Sequence, residues 1–107
     1  MSKRISIIGG ARIGLANVTW PFANLIVENT RVILTARILL KKLTFEPKDI
    51  ICIEPYSGII SGGLKINHRK SEYKKEVIFW LFGDPLKVMK QIEESGISRE
   101  KLQYKWS

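Results

Sequence analysis

Histidine and cysteine are almost missing from this chain, with one of each in 107 residues, His68 and Cys52. A lone cysteine cannot form an internal bridge, which excludes a disulfide-built scaffold and fits a reducing compartment, so a cytoplasmic location is expected. One histidine excludes a histidine-based metal cluster, and Cys52 has no second cysteine at a ligand spacing; neither a metal nor another cofactor is expected. Acidic residues are scarce as well, 10 Asp and Glu against 18 Lys and Arg. They are also scattered: Glu93 and Glu94 are neighbours on a helix surface, and Glu46 and Asp49 flank a proline turn. No carboxylate pair offers itself for general acid–base work, so catalysis has no support and no catalytic residue is assigned. Long apolar runs are lacking too. The longest, at 32–40 and 77–82, fall far short of the roughly 20 residues a helix needs to cross a bilayer. The basic start at Lys3 and Arg4 leads into an apolar stretch cut short at Gly9, Gly10 and Arg12, so no export signal is expected.

What is present is average for a globular domain: 45% apolar and 26% charged residues, in a length that buries one core without staples. The formal net charge of +8 gathers anions around the protein without choosing among lipid, nucleic acid and acidic protein.

Along the chain, short β-branched runs alternate with turn residues. Ile5 to Ile8 and Arg12 to Leu15 are expected to form a hairpin about Gly9-Gly10. Trp20 to Val27 and Arg31 to Thr35 flank a turn at Glu28-Asn29-Thr30. Leu39 to Phe45 reads as a strand with one wet face, closed by Glu46-Pro47-Lys48-Asp49, and Ile50 to Ile53 follows. After a glycine-punctuated loop at 57–63, Leu64, Ile66 and His68 alternate with Lys65, Asn67 and Arg69, which turns His68 inward. Val77 to Phe82 is the most continuous β run and reads as a central strand. The last element has the clearest signals. Asp84 stands as N-cap, Pro85 at the first helical position, Leu86, Val88, Met89 and Ile92 on one stripe, and Gly96 as left-handed cap with Ile97 folding back. A single domain over 1–97 is expected, followed by a tail at 98–107 that is either frayed or docked.

About seven short strands and one capped amphipathic helix, in this order, resemble the pleckstrin-homology-like superfold, including its GRAM and small bacterial variants. The resemblance rests on Leu43-Thr44-Phe45-Glu46-Pro47-Lys48-Asp49-Ile50-Ile51-Cys52-Ile53, then Gly63-Leu64-Lys65-Ile66-Asn67-His68, then Val77-Ile78-Phe79-Trp80 and the helix. It covers about residues 20–97, with Trp20-Pro21-Phe22-Ala23 similar to the opening of small bacterial members. It implies a mainly β (α+β) fold, a β-roll of about seven antiparallel strands capped by one C-terminal helix. It also implies one of several non-catalytic roles: phosphoinositide binding, peptide binding or scaffolding. Phosphoinositide binders of this group usually carry spaced cations around the first hairpin. Here that hairpin offers Arg12, with Lys3 and Arg4 at its start, so specific inositol-phosphate recognition is not expected.

Two glycine-rich stretches do not read as phosphate loops. Gly9-Gly10-Ala11-Arg12-Ile13-Gly14 lacks the helix that a dinucleotide loop must open, and Gly62-Gly63 is followed by a strand rather than Lys-Ser/Thr. Cys52 and His68 can act as a nucleophile pair only if the fold joins them; a buried, inert thiol is the ordinary reading. Trp20 and Trp80 read as core or edge packing, while Trp106 in the tail has several open uses.

The densest charged feature is Lys65, Arg69, Lys70, Lys74 and Lys75, with Tyr73 among them. On one strand and the loop after it, these six residues are expected to form a basic, ligand-binding rim. Three uses stay open. The rim can face an anionic lipid surface, it can bind nucleic acid with Tyr73 stacking on a base, or it can be a solvated loop. A protein partner, or a second copy paired through an exposed sheet edge, is a further candidate.

Overall fold

The apolar alternation closes on itself in the computed structural model, which describes residues 4–58 and 62–105. Strands β1 (Ile5–Ile13), β2 (Ala16–Glu28), β3 (Arg31–Ala36), β4 (Lys41–Phe45), β5 (Ile50–Ser57), β6 (Gly62–His68) and β7 (Val77–Leu81) precede one helix, α1 (Pro85–Glu94). All pairings are antiparallel, and the sheet runs β4-β3-β2-β1-β7-β6-β5. The expected mainly β architecture of seven antiparallel strands and one C-terminal helix is what the chain adopts, as a curled half-barrel.

Curling puts one side chain in two on the concave side. Leu25 and Val27, Leu34 and Ala36, Leu43 and Phe45, Leu64 and Ile66, and Val77 and Phe79 meet there in one core. α1 covers this core from the side of β5 and β6 through Met89 and Ile92. Its ends follow the sequence signals: the Asp84 carboxylate accepts the Leu86 N–H at 3.0 Å, Gly96 has φ 115°, and Ile97 returns to the core.

The start of the chain departs from expectation. Gly9 and Gly10 do not turn; β1 runs through them, and the reversal comes at Gly14 (φ 63°) and Leu15. The glycines answer a different need. β1 bends there: its register with β2 jumps from Gly9–Ala23 to Ala11–Val18, and from Gly10 on its other edge takes up β7. A Cβ on Gly9 would lie 2.1 Å from the Trp80 carbonyl oxygen, and one on Gly63, across β7, 2.3 Å from that of Phe79. Only glycine lets three strands coil this tightly. Opposite the bend, residues 19–22 of β2, with a cis Trp20-Pro21 bond, have no partner in the registers of β1 or β3.

The strand expected at Leu39 begins later. Arg37–Leu39 form a 3₁₀ turn, Leu40 takes a left-handed φ of 54°, and β4 starts at Lys41. Other turns follow the reading. Asn29 and Thr30 have φ 50° and 60°, the two positive angles of a tight hairpin, and Glu46 with Asp49 forms a reciprocal capping box around Pro47.

Both sheet edges carry partners from the same chain. On β4, Thr44 gives its N–H to the Tyr73 hydroxyl (3.1 Å) and its carbonyl accepts Lys70 Nζ (3.1 Å). On β5, the Ile53 carbonyl accepts the Gln103 N–H (2.8 Å) and the Ile50 carbonyl accepts Lys101 Nζ (2.9 Å). The segment after α1 is therefore docked: Leu102 pairs with Ile53 in a parallel bridge and is buried. Tyr104 packs against the core and donates its hydroxyl to Glu93. Burial first, then the bond to Glu93 and its charge, push the Tyr104 pKa up to about 12. Trp106 lies outside the described residues.

Candidate functional site

His68 organises the loop that was expected to form the basic rim. It ends β6 on the concave side, with its ring 5.0 Å from that of Phe45. Its Nδ1 accepts the Lys70 N–H at 3.0 Å. The proton therefore sits on Nε2, which donates to the Lys74 carbonyl at 2.8 Å. One neutral imidazole thus bridges both limbs of the loop. Tyr73 completes the packing, edge-on to Phe45 at 5.4 Å.

These contacts divide the six predicted site residues. Lys70 and Tyr73 hold the β4 edge at Thr44; Lys70 also lies 3.9 Å from the Asp49 carboxylate and 4.7 Å from the centre of the Tyr73 ring. Arg69 donates to the Lys48 carbonyl at 2.7 Å. Lys65 is elsewhere, on the convex side of β6 with Glu54 and Ile78 as its cross-strand neighbours. Lys74 and Lys75 are exposed, as is Arg69. The structure therefore joins Lys70 and Tyr73 in one structural cluster, ties the exposed Arg69 to Lys48, and leaves Lys74 and Lys75 exposed beside them.

Lys74 also borders a depression of about 560 Å³ at the open end of the half-barrel. The loop supplies Ser71, Glu72, Tyr73 and Lys74, the β1–β2 turn supplies Gly14 and Leu15, and the connection into β4 supplies Leu39 and Lys41. The Gly14 N–H donates to the Glu76 carbonyl at 2.8 Å, which ties turn to loop. Lys41, Lys42 and Arg37 are exposed at this end, cations that the sequence reading left unassigned because they belong to a different hairpin.

Cys52 and His68 are not brought together. Cys52 pairs with Asn67 in the register and accepts its side-chain amide at 3.3 Å, whereas His68 pairs with Ile50 and points to the core. A one-residue bulge at Ile51 puts the two on opposite sides of the sheet. Among the described residues, no three His, Cys, Asp or Glu side chains converge.

A second concavity, about 830 Å³, opens on the convex side between the unpaired 19–22 segment and β5 and β7. Two aromatic pairs border it, Trp20 with Phe82 (ring centres 5.6 Å) and Tyr56 with Trp80 (5.7 Å). Of the core or edge packing expected for the two tryptophans, neither takes the core alternative: Trp20 is exposed and Trp80 half-buried. The signal was available for Trp80: it is out of phase with Val77, Phe79 and Leu81, and strict alternation turns it outward. Its indole N–H donates to Asn17 at 3.0 Å.

No protein-family model matches the chain, and no curated protein matches it in sequence.

Proposed function

We propose that the chain is a cytoplasmic, non-catalytic binding module of pleckstrin-homology-like type that presents its open end to an anionic partner, with an anionic membrane surface as the first candidate. One observation carries this reading. Lys41 and Lys74, from different hairpins, border one depression, with Lys42 and Lys75 exposed next to them in the chain and Arg37 exposed in the turn before Lys41. Each surface lysine near an anionic membrane contributes about 1 kcal/mol, so four or five give weak, salt-sensitive association. Among the described residues, no helix is long and apolar enough to cross a membrane, which fits docking on a surface.

The nucleic-acid reading loses its stacking residue. Tyr73 is packed edge-on against Phe45 and its hydroxyl is engaged by Thr44, so its ring does not stand free beside the lysines. A second reading has a specific observation in its favour: the groove between Trp20, Phe82, Tyr56 and Trp80 suits a protein segment with apolar anchors, since aromatic side chains dominate such contacts.

Co-sedimentation with neutral and anionic liposomes, at low and near-physiological salt and with a short RNA as competitor, separates these. Binding to anionic liposomes that resists RNA supports the membrane reading. The K41Q/K42Q/K74Q/K75Q variant should then lose most of that binding while keeping its thermal stability. No sedimentation at either salt retires the membrane reading and favours the aromatic groove.

A further inference from the structure

At the open end, beside the exposed lysines in the chain or at the depression they border, three aliphatic side chains stand in water, two of them the most exposed apolar ones in the described chain. Leu15 is 96% accessible, Leu40 93% and Ile38 63%. They come from two turns. Leu15 follows Gly14 at the β1–β2 reversal, and Ile38 and Leu40 belong to the connection from β3 to β4. Leu15 and Leu39 both border the open-end depression, so the two turns lie at the same end of the sheet. α1 is placed elsewhere: it packs on β5 and β6, and Gly96 beyond it lies beside Thr30 in the β2–β3 turn, at the far end of those strands.

Folding does not account for these residues. A turn tip bathed in water is served by polar residues, and three exposed aliphatics at one end form the kind of patch that marks an interaction surface. Leu40 adds an independent observation. Its φ of 54° lies in the left-handed region that favours glycine or asparagine, and its side chain touches solvent rather than core. A backbone strain carried by a side chain that does not pack belongs to function rather than stability.

We propose that Leu15, Ile38 and Leu40 enter the boundary between headgroups and acyl chains of an anionic bilayer while the lysines beside them contact the headgroups. The inference deepens the membrane reading above and rests on it. Charge and shape choose the occupant. The exposed cations Arg37, Lys41 and Lys42 flank Ile38 and Leu40 in the chain, and Lys41 and Lys74 border the same depression as Leu15, with Glu72 the one acidic residue bordering it. Ile38 and Leu40 project from their turn and line neither concavity, and Leu15 stands at the rim of both, so the tips suit a soft, negatively charged surface with an apolar layer just below it. Apolar insertion and headgroup attraction are the two parts of interfacial binding, and here they come from adjacent residues.

The test uses the full chain and vesicles of phosphatidylcholine with or without phosphatidylglycerol. An environment-sensitive fluorophore on L40C, in a C52S background, should shift to the blue when anionic vesicles are added. The L15S/I38S/L40N variant should bind those vesicles at least tenfold more weakly, with an unfolding temperature no lower than that of the unmodified protein. If the unmodified protein sediments with anionic vesicles but the triple variant binds equally well and the fluorophore does not shift, insertion is wrong and the purely electrostatic reading survives. If the unmodified protein does not sediment at any salt, both readings fail together.

Discussion

Across the open-end depression, the 69–76 loop and the two turns facing it treat their side chains in opposite ways. The loop is polar in sequence, yet Lys70 and Tyr73 turn back to hold the edge of β4, and His68 bridges its two limbs. The turns are apolar in sequence, yet Leu15, Ile38 and Leu40 stand in water. Charge density in a loop therefore does not mark a binding surface by itself. A charged or aromatic side chain whose hydrogen bonds are consumed by the fold is a structural part, and an aliphatic one that the fold leaves outside is the better functional signal.

If this contrast is right, the two walls respond differently to substitution. The largest effect is expected from H68A, which leaves the Lys70 N–H and the Lys74 carbonyl without their partner; urea unfolding should show a loss of about 2–3 kcal/mol. A change below about 0.5 kcal/mol would mean that the loop orders itself without the imidazole.

The docked tail supplies a control remote from both walls. Tyr104 titrates from about 12 in the folded chain against 10.0 for a free phenol, so its contribution to stability is complete below pH 10 and is lost as pH rises to about 12. Y104F should cost about 1.5 kcal/mol at neutral pH, the scale of a hydrogen bond to a charged group, and should flatten the alkaline loss of stability. Phenolate absorbance followed alongside thermal unfolding checks both.

Within the loop, Y73F keeps the ring packing and removes only the acceptor for the Thr44 N–H; thermal unfolding should register a loss of about 1 kcal/mol. On the facing wall the sign reverses. L40G should stabilise the protein by about 1 kcal/mol, because glycine occupies the left-handed region without the side chain's penalty and no packing is lost. A destabilised L40G would show that Leu40 packs in solution and would remove the contrast. The smallest effect belongs to L15S, within about 0.5 kcal/mol, as for other exposed positions without special geometry.

Much of the fold could be read from residue order. Period-two alternation placed Leu64, Ile66 and His68 inward, and Asp84, Pro85 and Gly96 bracketed the helix, because these signals act over neighbouring residues. Gly9-Gly10 misled for a physical reason: glycine serves equally as a turn former and as a gap for a crossing strand, and the crossing strand, β7, is some 70 residues away in the chain. The candidate site was legible only in part. The lysines of 69–75 could be counted, but their sorting into structural and exposed members depends on Thr44, Phe45 and Lys48, which belong to another hairpin.

The sequence by itself determined the helix and the strand segments outside the first hairpin and the start of β4, the inward side of β6, the capped ends of α1 and the excess of positive charge. Each follows from local periodicity, capping chemistry or composition. Tertiary structure alone decided that β1 bends rather than reverses at its glycines and that the tail docks on β5. It also decided that Trp80 lines a groove and that Leu15, Ile38 and Leu40 share one end with the exposed lysines. Those outcomes depend on which distant backbone comes within a few ångströms of which, and that is set by the curl of the whole sheet.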